Sequence, residues 1–147
     1  LLLNENVEEE LLELRRVLEV DCVRLAAERA SEEDIEEMAE YIKQLLNSSG
    51  YEEISINSDK MFHYTIAKAS GNKVLEYMMR SISEAMDFHI KNTRTKLVSK
   101  KETMENFAKQ HERIFKAIKN KDSKEAMKEM KNHLDYVEKL INQEIEG

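Results

Sequence analysis

The chain has 147 residues, with no Pro, three Gly, no Trp, 36% charged residues and a formal net charge of -7. With helix breakers nearly absent and straight-chain helix formers abundant, this composition excludes a sheet and predicts a single all-α domain with a substantial buried core. The acidic balance argues against a face that grips a phosphate backbone, so the partner of this chain is expected to be a small molecule or another protein.

Six helices are predicted, at 7–30, 32–47, 52–70, 73–96, 100–120 and 123–145, and short connections are expected to make sequential helices antiparallel neighbours in one bundle. The first opens on a capping pair, Asn6 with Glu9. Its apolar stripe of Leu11, Leu14, Leu18, Cys22 and Leu25 also contains Arg15, while Arg16 falls on the opposite side. An inward guanidinium matches the fork of an organic carboxylate, or else it pairs with Glu19 at i+4 near the surface. Cys22, the one cysteine, is read as an inert buried thiol that can form no internal disulfide. With no signal peptide and no apolar run long enough to span a bilayer, a reducing cytoplasm fits best. The chain begins at Leu1 rather than Met, as a fragment with an upstream neighbour would.

The second helix is capped by Ser31 with Asp34 and ends at "NSSG" (47 to 50). On the third, Asp59 and His63 stand one turn apart and share a face with Phe62 and Ile66. It ends at "SGN" (70 to 72), where Gly71 supplies a left-handed residue and Asn72 caps the fourth helix. There His89 is centred among Leu75, Met78, Ile82, Ala85 and Met86. The fifth helix is expected to start at Ser99 with Glu102, and its His111 lies within a stripe of Met104, Phe107, Ala108, Ile114, Phe115 and Ile118. The sixth starts at Asp122 with Glu125, and its His133 is centred among Ala126, Met130, Val137 and Leu140. The runs "EEDIEE" and "KNKDSKE" read as solvated faces, and the eight Met as core filler.

All four histidines are thus predicted to face inward, together with Asp59. Any one of them alone reads as a hydrogen-bonded core residue, but burying several imidazoles and a carboxylate without partners costs a few kcal/mol apiece, so a common orientation calls for a common partner. A metal ion is the simplest. His111 lies nine residues before Asn120 and His133 eleven after Asp122. At about 1.5 Å per residue both sit roughly 14 to 17 Å from the same turn. His89 lies roughly 13 Å deeper than His63 on neighbouring helices, which takes it out of the group. The predicted ligands are Asp59, His63, His111 and His133. Three imidazoles and a carboxylate suit a divalent transition metal, Zn or Ni first and Mn, Fe or Co as alternatives. Four protein donors close a tetrahedron or leave two octahedral positions for water or a carboxylate ligand.

The stretches "ELRRVLEVDCVRLAAERAS" (13 to 31), "DKMFHYTIAKASGN" (59 to 72) and "QHERIFKAIKNKDSKEAMKEMKNHLDYV" (110 to 137) resemble the FadR-type C-terminal (FCD) domain of GntR-family bacterial transcription regulators, in order and over nearly the whole chain. The resemblance implies an all-helical effector-binding and dimerisation domain over 1–147, a small carboxylate effector, a homodimer, and DNA contact only through a winged helix-turn-helix domain absent from this sequence. It maps the metal ligands to Asp59, His63, His111 and His133, and effector contact to Arg15. Ser81 and His89 on the fourth helix are the further candidate effector contacts. Two other functions remain open at this point. An inward His₃Asp site could activate water for hydrolysis, although no general base stands beside the ligands, or the metal could be purely structural.

Overall fold

The computed structural model describes residues 7–48 and 52–146. Among them are six helices, α1 (Val7–Arg29), α2 (Glu32–Leu46), α3 (Glu52–Ala69), α4 (Lys73–Val98), α5 (Lys101–Lys119) and α6 (Ser123–Glu146), and no strand. The all-α expectation holds, and each helix limit falls within two residues of its predicted place.

The turns explain this agreement. Ser31 and Asp34 form a reciprocal capping box at the start of α2. Gly71 takes φ 71°, and Asn72 accepts from the Leu75 N–H at 3.0 Å to start α4. Arg29 Nη1 donates to the Ser70 carbonyl at 2.8 Å, tying the end of α1 to the end of α3. Between α5 and α6, Lys121 takes φ 58° and Asp122 accepts from the Glu125 N–H at 3.0 Å. One cap differs. Ser99 is the last residue of the α4 end rather than the cap of α5, because its hydroxyl donates to the Lys96 carbonyl at 2.7 Å. Lys100 occupies the cap position without a side-chain bond. The predicted cap at Asn6 lies outside the described residues.

Helix α1 packs against α3, α4, α5 and α6, whereas α2 packs on α3 and α5. The expectation that every sequential pair would be close neighbours therefore fails at the first connection. The buried stripe of α2, Met38, Ile42 and Leu45, covers apolar surface on α3 and α5 rather than on α1. The buried residues form two apolar clusters. The larger includes Val23, Met38, Phe62, Ile66, Ile114 and Met130, and the smaller includes Leu12, Ile82, Met86, Leu97, Val137 and Ile141, with Leu18 packing on both. The buried histidines lie where the two meet. Among the described residues no helix is long and apolar enough to cross a membrane.

Candidate metal centre

Helix α3 brings Asp59 and His63 to one side of this junction, and the α5–α6 hairpin brings His111 and His133 to the other. One ligand atom from each lies within 4.8 Å of every other. His63 Nε2 is 3.0 Å from His111 Nε2, and Asp59 Oδ1 is 2.6 Å from His111 Nε2 and 3.3 Å from His63 Nε2. Phe62 meets the rings of His63 and His111 edge-on at 5.8 and 5.4 Å, which fixes their planes. His89 is not part of this group.

The far side of each imidazole is also occupied. His63 Nδ1 contacts Glu19 Oε1, His111 Nδ1 lies 2.5 Å from the Phe107 carbonyl, and His133 Nδ1 lies 2.5 Å from Gln110 Oε1. All three partners are oxygens that only accept, so each Nδ1 carries the proton and each Nε2 is the atom left to face the centre. Outer hydrogen bonds of this kind hold ligating histidines in metal sites.

Glu19 also accepts from Arg15 Nε at 2.5 Å, and both side chains are buried. Burial would raise the Glu19 carboxyl, but the Arg15 and His63 charges override it and bring it down to about 2. Burial likewise works against a charged His63, yet Glu19 and Asp59 carry it up to about 9 in the metal-free chain. Asp59 is held well below the usual carboxylate range, against its burial, by His111 and His63. His133 is pushed well down by burial and by the His111 and His63 charges.

The donor set fits a metal ion. Asp59 Oδ1 is buried with no hydrogen-bond partner as long as the imidazoles are neutral, because the ring nitrogens facing it are then those whose protons lie on the opposite side of the ring. A buried carboxylate oxygen left this way is costly. Donors sharing one ion at about 2.1 Å stand about 3 Å apart when adjacent, close to the separations found here. In the metal-free chain a proton on His63 meets part of the same electrostatic need.

Of the predicted effector contacts, Arg15 is buried and lines two small cavities beside the cluster. It pairs with Glu19, as one of its two sequence readings had it, but in the core rather than near the surface. Ser81 is exposed and lines neither cavity. It lies a heptad from both Val74 and Phe88, on the outward face of α4, and Ser83 is the serine that lines the cavity. His89 is half-buried edge-on to Phe88, 5.0 Å away, and lines neither cavity. Sequence reasoning did not single out Glu19 as a support for His63, nor Gln110, Lys60 or Arg94. The i, i+4 spacing of Arg15 and Glu19 was the one available signal.

The FCD domain family model matches residues 10–136. The HTH-type transcriptional regulator LutR of Bacillus subtilis is 31% identical over 143 residues, covering 97% of this chain and 65% of that protein. A protein of Escherichia coli (strain K12) named "Putative L-lactate dehydrogenase operon regulatory protein" is 29% identical, over 87% of this chain and 49% of its own length. The solved structure of E. coli McbR/YncC covers 97% of this chain with a TM-score of 0.83 at 19% identity, a likeness of fold. The chain thus spans about two thirds or less of the length of these sequence relatives.

Proposed function

The chain belongs to the FCD domain family, the effector-binding domain of GntR-family transcription regulators, and from that premise we propose that it senses a small organic carboxylate at a metal centre built from Asp59, His63, His111 and His133. The observation that carries this reading is the buried, unpartnered Asp59 Oδ1 among three imidazoles whose Nδ1 protons are all committed elsewhere. Zn or Ni suits the donors best, with Mn, Fe or Co as alternatives. When bound, such an ion offers a Lewis-acidic position to a carboxylate oxygen. Arg15 stands beside the cluster as a fixed guanidinium, with Glu19 orienting both it and His63. The relative named for an L-lactate dehydrogenase operon supports a short organic acid as the ligand class.

The whole of 1–147 acts as one effector-binding and dimerisation domain. DNA is reached through a winged helix-turn-helix domain elsewhere in the protein. A homodimer is supported by the outward face of α4, where Val74, Tyr77, Met78 and Phe88 are 68, 74, 43 and 82% exposed in one line of turns. Effector binding then favours one arrangement of the dimer and of its DNA-reading heads.

The test is metal analysis of the purified chain, followed by thermal-shift titration of metal-loaded protein with short carboxylic acids. A copurifying or reloadable divalent ion and an acid-dependent rise in melting temperature are expected. The proposal fails if no metal can be loaded and Asp59→Ala leaves both stability and acid binding unchanged. A metal that stabilises the fold while no organic acid alters the melt marks a structural ion instead.

A further inference from the structure

Arg94 of α4 lines both cavities beside the metal cluster, yet the site described so far gives it no role. Its Nη1 lies 2.7 Å from Asp87 Oδ1, and the other oxygen of Asp87 is held by Lys60 of α3. Lys60 and Arg94 line one of these cavities together with Asp59, so the Lys60–Asp87–Arg94 clasp borders the space next to the cluster. All three side chains retain some solvent contact, 27, 30 and 16% of their surface respectively.

The charges do not balance within this arrangement. Arg15 is neutralised by Glu19, and Asp59 offsets one charge of a divalent ion. Asp87 is shared by two cations and can neutralise only one of them. Two positive charges remain, one at the ion and one at the clasp, and both border the cavity lined by Asp59, His63, Lys60 and Arg94. The cavities are about 20 and 30 Å³, and both are bounded by Arg15, Asp59 and Arg94. At about 10 to 15 Å³ for each water they hold only a few solvent molecules, which restricts a ligand there to a short acid. Much of the rest of the wall is apolar, including Ile82, Met86, Leu97 and Phe107. A second anionic group on a ligand would find the clasp as its cationic partner.

The geometry points to Arg94 as the residue that sets ligand specificity: with Lys60 it receives the second carboxylate of a short dicarboxylic acid whose first carboxylate sits at the metal and Arg15, and Asp87 holds the place of that second carboxylate when no ligand is bound. This rests on the carboxylate-sensing reading above and narrows its ligand class. A bidentate carboxylate on a partly buried guanidinium also gives directional selectivity that a lone ammonium does not.

L-lactate and tartronate test this, because they share a three-carbon 2-hydroxy acid frame and differ by a methyl against a second carboxylate. Isothermal titration of the metal-loaded chain, with metal content measured before and after to exclude stripping, should give about tenfold tighter binding of tartronate. Arg94→Gln should remove about tenfold or more of the tartronate affinity and leave lactate within about threefold, with Arg94→Lys intermediate. Asp87→Asn, which unmasks both cations, should bind tartronate more tightly than wild type, and it decides the matter if Arg94→Gln does not fold. Equal losses of both acids in Arg94→Gln, no preference for tartronate in wild type, or weaker tartronate binding by Asp87→Asn overturns the assignment and leaves the clasp as a tie between α3 and α4. If metal-loaded wild type binds neither acid, the carboxylate-sensing reading falls and this inference falls with it.

Discussion

Replacing Glu19 by Gln keeps the shape of the side chain and removes its charge. Two consequences follow from its contacts. Arg15 stays buried without its anion, and burial of an unmatched guanidinium is costly. The depression of the Glu19 carboxyl from 4.5 to about 2 gives the scale. At 1.36 kcal/mol for each pH unit this is roughly 3 kcal/mol, close to the 3 to 5 kcal/mol typical of breaking a buried pair from one side. For a chain of this length that corresponds to a fall in melting temperature of roughly 6 to 12 °C. The second consequence concerns His63. A Gln amide whose oxygen accepts from Arg15 turns its NH₂ toward His63 Nδ1, which must then accept. The ring proton moves to Nε2, the atom needed for the metal, and affinity should fall by roughly 10- to 100-fold. Differential scanning fluorimetry of chelator-stripped protein measures the first effect, and competition with a metal-binding dye the second. A Glu19→Gln chain that melts like wild type when stripped, or binds metal equally well, refutes the reasoning.

Metal itself should raise the melting temperature of the stripped chain. At a thousandfold excess over Kd the stabilisation is about 4 kcal/mol, or roughly 8 to 16 °C, and His111→Ala should abolish it. In stripped protein, pH acts through the Glu19–His63 pair. The lowered Glu19 carboxyl contributes fully above pH 4.5 and its contribution is lost as pH falls through about 2, whereas the raised His63 contributes fully below pH 6.5 and is lost as pH rises through about 9. Urea midpoints of stripped protein should therefore decline between pH 6.5 and 9. Metal-loaded protein should lack that decline, because a ligating His63 is already deprotonated, and a flat profile in both forms counts against the pair. Gly71→Ala should cost about 1 kcal/mol because φ is 71° there, read as a shift in urea midpoint at unchanged slope.

The sequence made the helices legible because their ends carry local chemistry. Gly71, Asn72, Ser31 and Asp122 act through bonds to residues three or four places away, so no knowledge of packing is needed. Ser99 misled because a serine can also bond back to the preceding turn, as it does to Lys96. The clustering of Asp59, His63, His111 and His133 was legible because each lies on the apolar stripe of its helix, with Asp59 and His63 sharing one, and two turns set their depth. The direction of Ser81 was not. Helix α4 carries apolar residues around much of its circumference, from Val74 and Tyr77 outside to Met79, Ile82 and Met86 inside, so periodicity cannot choose its inner face. Glu19 and Arg94 were obscured for another reason. On their own helices they look like ordinary charged positions, and only the packing of α1 and α4 against α3 brings them to the centre.

The two halves of the centre are far apart along the chain: His63 contacts His111 across 48 residues, and its supporting Glu19 lies 44 residues away. A partly folded chain cannot assemble all four ligands before α3 has docked on the α5–α6 hairpin. Metal should therefore have little to grip in the transition state for folding. A bound ion would act almost wholly on the escape from the native state, slowing unfolding in proportion to its binding energy while leaving the folding rate unchanged. Its loss would shorten the lifetime of the folded chain without hindering its formation.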